Sequence, residues 1–225
     1  MAQQIHPLLK EDTEPEEVDR ERMDQFITAL MEKMSLEEKL GQLNLLDAGE
    51  AYCGLDNEKD IEYKIKSGVV GSLLNANSLE TIQKFQSIAV NETRHKIPIL
   101  FGLDVIHGLK TIFPVPLAMT SSWDMDLIEL ASRVSAIEAS SNGISWTYSP
   151  MVDVTRDPRW GRIVEGAGED PFLGSQVAKA YVRGYQGRSN SFNQIDHIMA
   201  CVKHFALYGG VEGGLEYNTV DMSRV

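Results

Sequence analysis

A chain of 225 residues with 43% hydrophobic content holds enough apolar material for a sizeable core. Its 21 Lys and Arg against 33 Asp and Glu leave a net charge of −12, which repels a phosphate backbone and anionic headgroups and argues against a nucleic-acid partner. No stretch approaches the ~20 apolar residues that cross a bilayer, so no membrane insertion is expected, and Cys53 and Cys201 match neither a zinc spacing nor a disulfide framework.

Residues Met1 to Arg22 are acidic, hold two prolines and show no apolar period. They are expected as a mobile tail over 1–22, followed by a folded domain over 23–225. This opening stretch lacks a basic region followed by an apolar core, so it carries no export signal, and a chain starting at Met1 is expected in the cytoplasm. From Met23 onward Phe26, Ile27, Leu30, Met31 and Met34 recur at helical spacing. Ser35 and Glu38 then form an S-x-x-E capping box that opens a second helix through Leu40, after which Gly41 and Gly49 loosen the chain.

Four apolar runs of strand length follow, separated by amphipathic stretches. "GVVGSLLNA" (Gly68 to Ala76) precedes a helix over Ser78 to Arg94 with Ile82, Phe85, Ile88 and Ala89 on one face. "IPILFGLDV" (Ile97 to Val105) precedes, after a loop, a helix over Asp124 to Ser141 carrying Leu127, Leu130, Ala131, Val134 and Ile137. "SWTYSPMVDV" (Ser145 to Val154) precedes a charged loop and then a helix over Gly174 to Gly187; "IMACVKHFAL" (Ile198 to Leu207) leads into a Gly-rich segment. Within the third run Pro150 has no N–H to give a ladder, which predicts a bend or bulge.

Continuous apolar strands joined by crossover helices imply an α/β fold with parallel strands buried on both faces. About four βα units are roughly half of a (β/α)8 barrel, which takes ~250 residues. The pattern fits a small open sheet or a partial TIM-like barrel cut short. There is no internal repeat, no dinucleotide fingerprint, no H-E-x-x-H and no G-x-S-x-G, so no metal and no cofactor is expected.

In parallel α/β proteins the working side chains sit just past the C-terminal ends of the strands. Here those ends carry Asp104 and His107, then Asp153, Arg156, Asp157, Arg159, Trp160 and Arg162, then Lys203 and His204. A carboxylate beside guanidinium, ammonium and imidazole suits a polyhydroxylated ring, with Trp160 as an apolar plate for a sugar face. The same set suits a phosphate or a carboxylate ligand. Asp104 fits a cap as well as a ligand contact, whereas the Lys203 ammonium, inside an apolar run, demands a partner. Asp157, Arg159, Glu165, Glu169 and Asp170 read as a framework of ion pairs and turns.

In this order, the segments "MSLEEKLGQL", "GLDVIHG", "FPVPLAMTSSWD", "SPMVDVTRDPRWGRIVEGAGEDPFLG", "VRGYQG", "CVKHFALYG" and "EYNTVDMS" resemble glycoside hydrolase family 3, most closely its bacterial periplasmic β-glucosidase branch. The resemblance implies a (β/α)8-like barrel and retaining hydrolysis of terminal non-reducing β-D-glucosyl residues, with β-linked glucosides or oligosaccharides as partners. It implies that Asp104, Arg162, Lys203 and His204 hold the sugar of the first subsite, and that peptide links around Lys203 and His204 can be cis. A retaining mechanism needs two carboxylates ~5 Å apart. By the resemblance both the nucleophile and the acid/base lie beyond Val225, so the 225-residue chain is expected to be inactive alone. The branch would also place the protein in the periplasm or outside the cell. "KHFALYGG" departs from the K-H-F-P-G-H-G pattern of the N-acetylglucosamine-removing branch, leaving glucosidase or xylosidase chemistry open. A non-catalytic carbohydrate-binding protein is the main rival reading; a phosphate-binding enzyme would need a Gly-rich helix N-terminus, which is missing.

Overall fold

Strands and helices alternate along the chain as the apolar runs predict. The computed structural model describes residues 20–48, 58–76, 78–188 and 194–223, together with Leu8. The acidic stretch before Arg20, apart from Leu8, and Cys53 lie outside the described residues. The chain divides into two units, one built on Pro15–Leu103 with Asn142–Trp146, the other on Asp104–Ser141 with Thr147–Val225.

In the first unit, α1 (Arg20–Lys33) and α2 (Leu36–Gly41) flank the expected capping box. Ser35 Oγ accepts from the Glu38 N–H at 3.2 Å, and Glu38 returns the bond from the Ser35 N–H at 2.8 Å. The same Glu38 carboxylate faces His95 Nε2 at 3.0 Å. The apolar face expected on α1 is largely uncovered: Met34 just beyond the helix is buried, whereas Phe26, Ile27 and Met31 are exposed. After β1 (Leu45–Asp47) come α3 (Glu58–Lys66), β2 (Ser72–Leu74), α4 (Leu79–Glu92) and β3 (Leu100–Leu103). The sheet order is β1-β2-β3-β4, where β4 (Trp146–Thr147) starts at the end of this unit. Pairing is parallel from β1 to β2 and from β2 to β3. Ser78 caps α4 by accepting from the Thr81 N–H at 3.0 Å, and the four residues expected on its inner face, Ile82, Phe85, Ile88 and Ala89, are all buried. α4 packs against α3, where Ile61 and Ile65 are 2% exposed.

The second unit holds α5 (Pro116–Thr120), α6 (Met125–Ser141) and α7 (Pro171–Gln186). α6 has the length expected but buries a different side. Ile128, Ala131, Ser132, Ser135, Ala136 and Ala139 are inside, while Leu127 is 55% exposed. The reason is the partner helix. A Cβ built on Gly184 of α7 would lie 2.4 Å from the Ser132 Cβ and 2.5 Å from the Glu129 carbonyl oxygen, so the two backbones approach through small side chains rather than through leucines. Two charges buried on α6 are matched: Glu129 meets Arg188 Nε at 2.6 Å, and Arg133 donates to Asp196.

The third and fourth apolar runs pair in parallel but irregularly. Thr147 N–H donates to the Met199 carbonyl at 2.9 Å, Cys201 N–H to Ser149 at 3.0 Å and Lys203 N–H to Pro150 at 3.1 Å. The register breaks at Pro150, because adjacent acceptors, Ser149 and Pro150, serve donors two residues apart. This is the irregularity that a proline without an N–H predicts. It leaves the fourth run held by single bridges, such as Met151 to Lys203, rather than by a strand. The Ser149–Pro150, Lys203–His204 and Phe205–Ala206 links are cis.

Gly184→Ala tests the close α6–α7 approach. Overlap in a packed interior costs about 1–3 kcal/mol, against up to ~1 kcal/mol gained in helix propensity. A lower urea midpoint is expected, and an unchanged or raised midpoint would contradict the contact.

Candidate functional site

Asp104 follows β3 directly, and the next residue fixes its place. Val105 N–H donates to Thr147 Oγ1 at 3.1 Å, and the Val105 carbonyl accepts from the hydroxyl of the fully buried Tyr185 at 2.7 Å. The Asp104 side chain itself is 52% exposed, and its Oδ1 lies 3.0 Å from Lys203 Nζ. That ammonium, whose side chain is 14% exposed, has the partner its apolar setting requires.

His204 is aimed by Asp153. The Asp153 carboxylate, 2% exposed as a side chain, accepts from the His204 N–H at 3.1 Å and lies 2.9 Å from Nδ1. With the proton on Nδ1, Nε2 is left as the acceptor for Arg162 Nη1 at 3.3 Å. Arg162 in turn is gripped from the other side by Glu165, through Nε and Nη2 at 2.7 Å each. Glu165 raises the guanidinium further above its usual range, and the guanidinium holds the Glu165 carboxyl below its own. Arg162 also reaches the Tyr208 hydroxyl, while two N–H groups of the Lys203 ammonium and Asp104 Oδ2 make no further hydrogen bond among the described residues.

Tyr208 forms a wall behind these groups. Its ring meets the His204 ring edge-on at 4.8 Å, and the Arg162 guanidinium carbon sits 5.6 Å from its centroid. Nearby, burial together with the Asp104 charge pushes the Tyr148 phenol up to about 12.

The remaining expectations divide clearly. Trp160 is no sugar plate: it is 1% exposed, and its indole N–H donates to Glu216. Its ring packs with Met151 and Val211. His107 is used locally, with Nδ1 2.9 Å from the Phe113 carbonyl oxygen. Asp157 pairs with exposed Arg159, whose hydrogen bonds lower the Asp157 carboxyl to about 2, and Asp170 caps α7 by accepting from the Leu173 N–H at 2.6 Å. Arg156 enters the frame through its backbone, donating to the Gly209 carbonyl at 3.0 Å. Tyr208 and Glu216 were not among the sequence candidates; each lies past the fourth run in a Gly-rich segment with no strand end to mark it. Cys201 is a free thiol. Among the described residues no group of three or more His, Cys, Asp and Glu side chains could hold a metal ion.

Residues 35–225 match the model of the glycosyl hydrolase family 3 N terminal domain. The chain belongs to glycosyl hydrolase family 3. Among family 3 relatives it is 46% identical over 204 residues to the periplasmic β-glucosidase of Salmonella typhimurium, covering 90% of this chain and 26% of that protein. It is 31% identical to a putative β-xylosidase of Formosa agariphila, covering 89% of this chain and 29% of that protein. A β-glucosidase from Listeria innocua, solved in complex with glucose, superposes with a TM-score of 0.80 at 41% identity over 88% of this chain and 29% of that one. The family 3 chain thus spans well under a third of the relatives it matches. Its fold class is α/β, with the parallel strand–helix alternation of a (β/α)8-type barrel, and no helix among the described residues is long and apolar enough to cross a membrane.

Glu165 makes the site sensitive to acid. Its folded value lies below the ordinary 4.5, so its contribution is complete above the unfolded value and is lost as pH falls through the folded one. Glu165→Gln should be less stable to urea than the parent near pH 7, with the gap closing as pH falls below the ordinary carboxylate value of 4.5. A gap of constant size across that range would contradict the pairing.

Proposed function

We propose that this chain is the sugar-holding part of a retaining β-glucosidase, and that Asp104, Arg162, Lys203 and His204 grip the glucosyl unit at the non-reducing end. One observation carries the reading. Two contacts, Asp104 with Lys203 and Arg162 with His204, meet at the consecutive residues Lys203 and His204 and draw on three separate loops, with donor and acceptor capacity left over on Lys203 and Asp104. Neighbouring ring hydroxyls need such an arrangement, because each is donor and acceptor at once. Asp104 Oδ2 accepts hydroxyl protons, and the Lys203 and Arg162 N–H groups donate to hydroxyl oxygens. Support for glucose over xylose comes from the relatives, with 46% identity to the periplasmic β-glucosidase against 31% to the putative β-xylosidase.

Bond cleavage is assigned elsewhere in the enzyme. The four carboxylates around this site are already engaged: Asp104 by Lys203, Asp153 by His204, Glu165 by Arg162, and Glu216 by Trp160 and Tyr208. Each of these is assigned a holding role, and the nucleophile and acid/base that a retaining mechanism sets about 5 Å apart are assigned to other groups. The site's task is binding, with hydrogen bonds to the sugar that strengthen as its ring carbon takes on oxocarbenium character.

Two measurements test this. The purified 225-residue chain should leave an aryl β-glucoside uncleaved; turnover by it would move the catalytic pair into this chain. In the whole enzyme, Asp104→Asn removes a charged acceptor and strands the Lys203 ammonium. It should lower kcat/KM on the same substrate roughly 10- to 100-fold, the scale of one hydrogen bond to a charged group. Unchanged kinetics would remove Asp104 from the site.

A further inference from the structure

The segment after the fourth run folds back on itself. Glu212 N–H donates to the Thr219 carbonyl at 3.0 Å, Thr219 Oγ1 donates to the Glu212 carboxylate at 2.6 Å, and Asn218 Nδ2 donates to the Glu212 carbonyl at 3.0 Å. Gly214 sits hard against Trp160, since a Cβ there would lie 2.7 Å from the Trp160 nitrogen. This turn delivers Glu216, whose two carboxylate oxygens accept separate donors, one from the Trp160 indole N–H and the other from the Tyr208 hydroxyl. Trp160 belongs to the loop that carries Arg162, and Tyr208 to the loop that carries His204. One carboxylate therefore ties the two loops together.

We propose that Glu216 is a positioning residue of the sugar site, holding the Tyr208 ring as the shared wall against which His204 and Arg162 are set. The inference rests on the sugar-binding reading above. The ring lies 4.8 Å from the His204 ring and 5.6 Å from the Arg162 guanidinium carbon, with Trp160 edge-on behind it at 5.3 Å. Without Glu216 the phenol has no acceptor among the contacts described and keeps only the Arg162 guanidinium at its hydroxyl, so the ring is held less firmly about χ1. Both sugar-facing groups would then lose a packing surface while keeping their own carboxylates, Asp153 and Glu165. The hydrogen bond to Glu216 also raises the Tyr208 phenol above its ordinary value of 10.0, in keeping with that contact being the dominant one at the ring.

The test is a double-mutant cycle in the whole enzyme, read as kcat and KM on an aryl β-glucoside. Glu216→Ala should raise KM about tenfold with a smaller change in kcat, because binding geometry is lost and the reacting carboxylates are not touched. Tyr208→Phe keeps the ring but cuts the link, and should shift KM in the same direction. The double variant should be no worse than Glu216→Ala, since both changes break one path. Glu216→Gln, which still accepts one of the two hydrogen bonds, should recover part of the loss. A KM for Glu216→Ala within about twofold of the parent, or a fully additive double variant, would overturn the proposal. Should Glu216→Ala fail to fold, Tyr208→Phe decides: a raised KM supports the link, and an unchanged one overturns it. Asp104→Asn separates the two levels. If it weakens the enzyme while Glu216→Ala does not, positioning by Glu216 fails alone; if neither has an effect, the sugar-binding reading fails with it.

Discussion

The Lys203 ammonium is shielded from water in a chain segment that is otherwise apolar, and its counter-charge is Asp104, 99 residues away along the chain. A shielded ammonium without a partner is costly enough that it would lose its proton or the segment would open. Holding Asp104 in place needs the strand end before it, and the strand end is pinned through Val105 by the Thr147 hydroxyl on one side and the Tyr185 hydroxyl on the other. Two buried hydroxyls, those of Thr147 and Tyr185, therefore hold the chain beside a half-exposed acid.

A second layer repeats the logic. Each cation or imidazole has its own acid: Lys203 has Asp104, His204 has Asp153, and Arg162 has Glu165. These pairs keep the groups oriented, yet leave donor and acceptor capacity on Lys203 and Asp104. Two of the holding acids, Asp153 and Glu165, have side chains only 2% and 24% exposed, so they are screened less than a surface pair would be. Asp157 with Arg159 shows the contrast: that guanidinium is 72% exposed and closes its loop locally, with no reach toward the site.

How much of this the amino-acid sequence discloses depends on how local the cause is. The capping box at Ser35 and Glu38 and the Ser78 cap of α4 are decided within a few residues, and both form as read. The burial of Ile82, Phe85, Ile88 and Ala89 follows from a period alone. By contrast, β1 and α3 escape the reading because β1 is only Leu45–Asp47 and the apolar pair of α3, Ile61 and Ile65, marks a single turn. The buried side of α6 was misread because leucines outrank alanines and serines in hydropathy, whereas a glycine on a partner helix rewards the smaller residues. At the site, strand-end position offered a wider set of polar side chains and left the ligand class open, and it was the resemblance that selected sugar and, within that set, Asp104, Arg162, Lys203 and His204. Trp160 was read as a plate because a tryptophan in a charged loop looks accessible. It is buried because Glu216, 56 residues later, satisfies its indole N–H.

We propose that one sugar ring is gripped by Asp104, Lys203, Arg162 and His204 together. A crystal structure of the enzyme soaked with D-glucose tests it most directly. A single glucose is expected with hydroxyls within hydrogen-bond distance, about 2.6–3.2 Å, of the Asp104 carboxylate, the Lys203 ammonium and the Arg162 guanidinium, and with its ring against the His204 imidazole. Glucose bound elsewhere, or touching none of these groups, would contradict it.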